Sequence, residues 1–162
     1  MTTLTQTPVR SGNYAKEDWA ALVQIAVEEV FEMMVGGKAS MLPEADMGKK
    51  DFSAMVGIAG AMCGVLTVAA PAQSARSIAA GMLGSESVDN TSVMDALGEI
   101  TNMVAGNFKS KILALADGCM LSVPTVVAGA DYEMHSLADG YRTQLLFAFR
   151  EHKFSVTLQL SA

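Results

Sequence analysis

The chain has 162 residues, of which 51% are apolar and 17% charged, so a single folded domain is expected and disorder is excluded. Its 11 basic and 17 acidic residues give a net charge of −6, which argues against a binder of nucleic-acid phosphates and leaves no nucleic-acid partner expected. Two cysteines make no disulfide framework, and Cys63 and Cys119, each in an apolar run, read as buried free thiols. Residues 1–10 carry no apolar secretory core, so the expected location is cytoplasmic.

Asn13 is a candidate N-cap for a first long helix. Trp19, Leu22, Val23, Ala26, Val27, Val30 and Met34 recur at helical spacing, and Gly36-Gly37 stops the run. Residues 53–75 hold no charge and are long enough to span a bilayer. That stretch is rich in glycine and alanine and is interrupted by Pro71, which speaks against a membrane segment. Phe52, Val56 and Ile58, then Met62, Leu66 and Val68, instead predict a hairpin over about 52–58 and 62–69. Pro71 suits the first turn of a short helix over 72–83 that ends at Gly84.

After a polar linker over 85–91, Ser92 and Asp95 form a capping-box pattern for a second long helix reaching about Ala116. Strands are predicted over about 120–130, 141–150 and 153–160. In the last two, Leu145, Phe147, Phe149, Phe154, Val156, Leu158 and Leu160 share one face, while Arg142, Gln144, Ser155, Thr157 and Gln159 face water. A helix followed by a hairpin thus occurs twice, over about 14–69 and 92–160, within one domain spanning 1–162. The expected class is α+β, with long helices packed on a mainly antiparallel sheet. The first hairpin is apolar on both faces, so helix 72–83 or a second subunit must cover its outer face.

Chemistry concentrates on the second long helix. At about 100° per residue, Asp95, Glu99, Asn102 and Gly106 form one stripe about 170° from the centre of the apolar stripe of Val93, Leu97, Ile100, Val104 and Phe108. An ordinary solvated face would account for a lone Glu and Asn. Asn102, Gly106 and Asn107 within one helix are harder to account for, because each is a poor helix former. Gly106 also removes bulk one turn beyond Asn102, where another backbone can approach.

Asp95-x3-Glu99-x2-Asn102, the Met103-x-x-Gly106-Asn107 run and Pro124 together resemble the CheC/CheX/FliY phosphatases, which act on the phosphorylated chemotaxis response regulator CheY. The order of elements follows that family over nearly the whole chain. The first long helix offers Glu28, Glu29 and Glu32 with no Asn three residues on, so one site per chain is expected, as in CheX. The resemblance implies that Asn102 orients the attacking water and that Glu99 pairs with the regulator's lysine, with Asp95, Met103 and Gly106 in the partner contact. It also implies a homodimer, a CheY-like partner, and Mg²⁺ supplied by that partner rather than held here. A non-catalytic binding or scaffold module of the same fold is the alternative.

Other candidates are weaker. His135 and His152 stand alone, and Asp131, Glu133, His135 and Asp139 read as an acidic loop before they read as a cation site. Met33, Met34, Met41, Met47 and Met55 read as core or loop filling, whereas Met94 and Met103 flank the polar stripe.

Overall fold

A computed structural model describes residues 16–43, 47–112, 118–137 and 139–161. Three α-helices lie on one face of an antiparallel sheet: α1 (Lys16–Val30), continued by a π-turn (Phe31–Val35), α2 (Ala72–Leu83) and α3 (Asn90–Lys111). The strands are β1 (Ser40–Met41), β2 (Phe52–Gly60), β3 (Gly64–Ala70), β4 (Cys119–Leu121), β5 (Thr125–Ala128), β6 (Gly140–Phe149) and β7 (His152–Ser161). Their order is β1-β6-β7-β3-β2-β4, and β5 also pairs with β2. The expected α+β class and both hairpins are therefore observed. Asn13 lies outside the described residues, and the second long helix, expected to reach about Ala116, ends at Lys111, where Ile112 is already extended.

One core joins the inner faces. Phe52, Ala54, Val56 and Ile58 of β2 meet Val23, Val27, Ile78, Leu97, Ile100 and Val104 from the helices. Phe31 stacks on Phe154 with ring centroids 4.8 Å apart, and Phe154 stacks on Phe147 at 5.4 Å, which ties the end of α1 to the second hairpin. The π-turn shifts the helical phase by one residue. Val35 is consequently buried, and Met34, expected in the apolar stripe, is exposed. Met33 and Met41 are likewise exposed rather than core.

Three further expectations are corrected. Asp89, not Ser92, caps α3: its Oδ1 accepts the Ser92 N–H at 2.8 Å. Val88 and Val93 then occupy the staple positions on either side of that cap. Pro71 is the residue before α2 rather than its first, and the Ala72 N–H donates to Asp51 Oδ2 at 2.8 Å, placing a negative charge at the helix start. Cys63 is exposed because it falls in the β2–β3 turn, while Cys119 is buried.

The outer sheet face differs from expectation as well. α2 packs in the same layer as α1 and α3 and does not cover it. Residues 129–137 cross that face instead, held by the Gly129 N–H on Asp51 O and by the Tyr132 hydroxyl, which donates to Ser53 Oγ at 2.6 Å. Burial pushes the Tyr132 pKa up, against the lowering effect of that bond. Ser155, expected in water, is buried on this face. A shallow cavity of about 530 Å³ remains there, lined by Met55, Val65, Thr67, Met134, Arg142 and Thr157 among others. No helix among the described residues is long and apolar enough to cross a membrane.

Two stability outcomes follow from this packing. Leu97→Ala, at a fully buried position on α3, should cost about 2–5 kcal/mol by urea denaturation. Asp89→Ala should lower the urea midpoint more than Ser92→Ala does; the reverse order would restore Ser92 as the cap. Because the Ser92 N–H holds the Asp89 carboxyl below its ordinary range, this stabilisation is present above the unfolded carboxyl's pKa and lost as pH falls through the folded one.

Candidate functional site

α3 is enclosed on most of its circumference. Val93, Ala96, Leu97, Gly98, Ile100, Thr101, Val104, Ala105 and Phe108 are all buried. The apolar arc is thus wider than the pattern of large residues predicts, because Ala96, Gly98 and Ala105 are packed against neighbours too. What stays accessible is one narrow stripe. Asp95 and Glu99 are exposed, and Asn102, Met103 and Gly106 are half-buried. The structure therefore brings together all five residues singled out from the sequence. Among the described residues, none forms a hydrogen bond with the side chains of Asp95, Glu99 or Asn102.

The stripe is bordered on two sides, and this bordered strip is the furrow. On one side stands α1, where Glu29 accepts from Asn107 Nδ2 at 3.0 Å and from Lys111 Nζ at 2.9 Å. Those two bonds, Lys111 first, hold the Glu29 carboxyl below its ordinary pKa range. On the other side run β4 and β5. The expected single strand over 120–130 is broken here. Ile58 pairs with Leu121 and Met55 with Thr125, so Ser122, Val123 and Pro124 stand opposite only Val56 and Gly57. This is a β-bulge. Pro124 has no N–H to donate to a ladder. Ser122 occupies Gly57 instead, its N–H donating to Gly57 O at 2.9 Å and its Oγ accepting the Gly57 N–H at 2.8 Å.

Two glycines of α3 relate differently to this wall. A Cβ on Gly98 would lie 3.5 Å from Pro124 Cβ and 3.4 Å from Val126 Cγ2, ordinary contact distances, so the strand packs directly against the helix here. That contact supplies a structural place for Pro124. A Cβ on Gly106 would meet only Leu121 Cδ1, at 3.9 Å. The chain's own packing therefore does not require glycine at 106.

The bulge, the Gly98–Pro124 contact and the Glu29 bridge had not emerged from the sequence; only the proline within a strand-like run hinted at them. His135 is exposed and His152 half-buried. Among the described residues, no group of three or more His, Cys, Asp or Glu is placed to hold a metal ion.

The fold has counterparts in known proteins. The family model of the chemotaxis phosphatase CheX matches residues 52–148, more than half of the chain, and the chain belongs to that family. No curated protein sequence matches it. Among solved structures, it is similar to the chemotaxis protein CheX of Vibrio vulnificus, at 21% identity and a TM-score of 0.78, covering 91% of this chain and 99% of that one. CheX of Desulfovibrio desulfuricans is similar at 24% identity and a TM-score of 0.78, over 89% of this chain and 99% of that one. CheX of Borrelia burgdorferi, solved in complex with CheY, BeF3 and Mg²⁺, is similar at 19% identity and a TM-score of 0.69, over 90% of this chain and 99% of that one.

The Gly106 geometry gives a test on the isolated protein. Gly106→Ala should raise stability by up to about 1 kcal/mol, the helix-propensity difference with no clash to oppose it. Thermal unfolding of the two proteins measures this, and a loss of stability would mean that the furrow wall is placed wrongly.

Proposed function

We propose that this protein accelerates hydrolysis of the phosphoaspartate on a CheY-like response regulator, in the cytoplasm where such regulators work. The observation that carries this reading is that Glu99 and Asn102 stand unengaged on the one open stripe of an otherwise enclosed helix. Membership of the CheX family and the Borrelia burgdorferi relative's complex with CheY support the choice of partner.

The chemistry asks little of this chain. An aspartyl phosphate is an activated acyl phosphate, and transfer of its phosphoryl group to water depends mainly on positioning and on neutralising charge. On this reading the regulator brings its own Mg²⁺ and lysine. The Asn102 amide, with one acceptor and two donor hydrogens, holds a water in line with the phosphorus. Attack forms the new P–O bond, the bond to the aspartyl oxygen breaks, and inorganic phosphate and a free carboxylate result. Glu99, one turn earlier on the same stripe, pairs with the regulator's lysine and fixes the docked orientation. Asp95 adds a second negative charge to that contact, Met103 gives it an adaptable apolar flank, and Gly106 admits the partner's backbone.

Self-association belongs to the other side of the molecule. On this reading two copies pair through the outer sheet face, where Val65, Val127, Met134 and Leu137 are exposed. A specific interface of this kind buries more than about 1,000 Å². Sedimentation should show a dimer at roughly tens of micromolar, and a monomer there would refute the pairing.

The decisive assay is phosphate release from a phosphorylated regulator. Asn102→Ala should reduce the acceleration by about 10²-fold or more while binding stays nearly intact. Glu99→Ala should slow the step and also weaken binding by about 1–3 kcal/mol. Full activity in Asn102→Ala would remove the phosphatase reading and leave a binding or scaffold module of the same fold.

A further inference from the structure

The bulge opposite β2 has a property that the phosphatase reading does not use. It displaces one residue from the ladder, and that residue, Val123, is 83% exposed. Its position along α3 is fixed by its neighbours. Leu121 lies beside Gly106 and Pro124 beside Gly98, so the displaced residue stands level with the intervening turn, which carries Asn102. Ser122 is tied to Gly57 by two hydrogen bonds on one side of it, and Pro124 is packed against α3 on the other. The valine is thus exposed and rigidly presented.

An edge strand can use a bulge simply to discourage pairing with another chain. A polar or charged residue would serve that purpose and would spare the cost of apolar surface in water. A β-branched apolar side chain held level with the turn that carries Asn102 lies where a partner docked on the stripe would cover it.

We infer that Val123 is an apolar docking contact that selects the partner, and that the bulge is the element that presents it. The inference rests on the reading that the partner is a phosphorylated receiver domain. The floor of the furrow is acidic, through Asp95 and Glu99. The matching receiver surface carries a basic side chain over the floor and an apolar side chain beside it, seated against Val123. Charge complementarity orients the encounter, and the valine discriminates between receivers whose active sites are chemically alike.

The test measures binding of the CheY-like receiver domains of the source organism, each loaded with beryllofluoride and Mg²⁺, to the full chain and its variants. Phosphate release is followed in parallel with the phosphorylated receivers. Val123→Ser should weaken binding about tenfold, the effect of losing burial of a valine-sized group, and should raise KM with kcat unchanged. Val123→Leu should bind within about twofold of the wild type. Met120→Ser is the control. Met120 is 77% exposed on the adjoining β4 but pairs with Ala59, which lines the outer cavity, so binding should not change. Equal binding by Val123→Ser and the wild type would overturn the inference, as would a wild type that binds no receiver. A wild type that binds as described but releases no phosphate faster would end the phosphatase reading and leave the docking contact standing.

Discussion

Enclosure of α3 is the constraint on which the rest of the structure depends. Leu97, Ile100, Val104 and Phe108 are all fully buried, and each such side chain contributes about 1.5–3 kcal/mol relative to exposure. Ala96, Gly98 and Ala105 fill the flanks of the same arc, where small residues allow α1, α2 and the strands to close in. A helix held by one face can roll. A helix held by neighbours on three sides cannot, because any rotation drives large side chains into packed ones. The direction of the remaining stripe is therefore set by the core, and Asn102 inherits a fixed position without help from hydrogen bonds of its own.

That arrangement suits the orienting role proposed for Asn102. A flexible amide would lose in ordering entropy much of what it gained by directing a water, whereas one mounted on an immobile helix begins close to its working geometry. Glu29 supports the same end from α1. By holding Asn107 and Lys111 together it ties the last turns of α3 to its neighbour and closes one wall of the furrow. The opposite wall is held through Pro124 against Gly98, so both boundaries of the stripe are anchored to the helix that bears it.

Much of this was legible in the sequence because periodicity is a local property. The two hairpins follow from alternation in 52–70 and 140–161, and the three helices from 3.6-residue spacing and their glycine stops. The exposed stripe was legible because asparagine and glycine are out of place inside a helix. What escaped depended on two elements at once. Val123, Thr125, Val126 and Val127 all favour strands, so apart from Pro124 nothing within 120–130 announces that three residues face two; that mismatch is a matter of register against β2. Asp89 and Ser92 are both good caps, and the choice between them was made by where Val88 and Val93 could meet the core. The π-turn escaped because it changes the phase of a pattern whose composition stays the same, exchanging Met34 for Val35 in the interior.

The division of the sheet into two unlike faces then permits two associations without conflict. All three helices share one layer, so the furrow opens on the side away from the outer face crossed by residues 129–137. Pairing of two copies through the outer face would leave each α3 stripe open to solvent, pointing away from the junction. A receiver domain docking at one furrow would then meet no part of the second copy. Had α2 covered the outer face, one of the two coverings expected there, that surface would have been consumed by the fold. Placed beside α3 instead, α2 completes the enclosure that holds the exposed stripe in place.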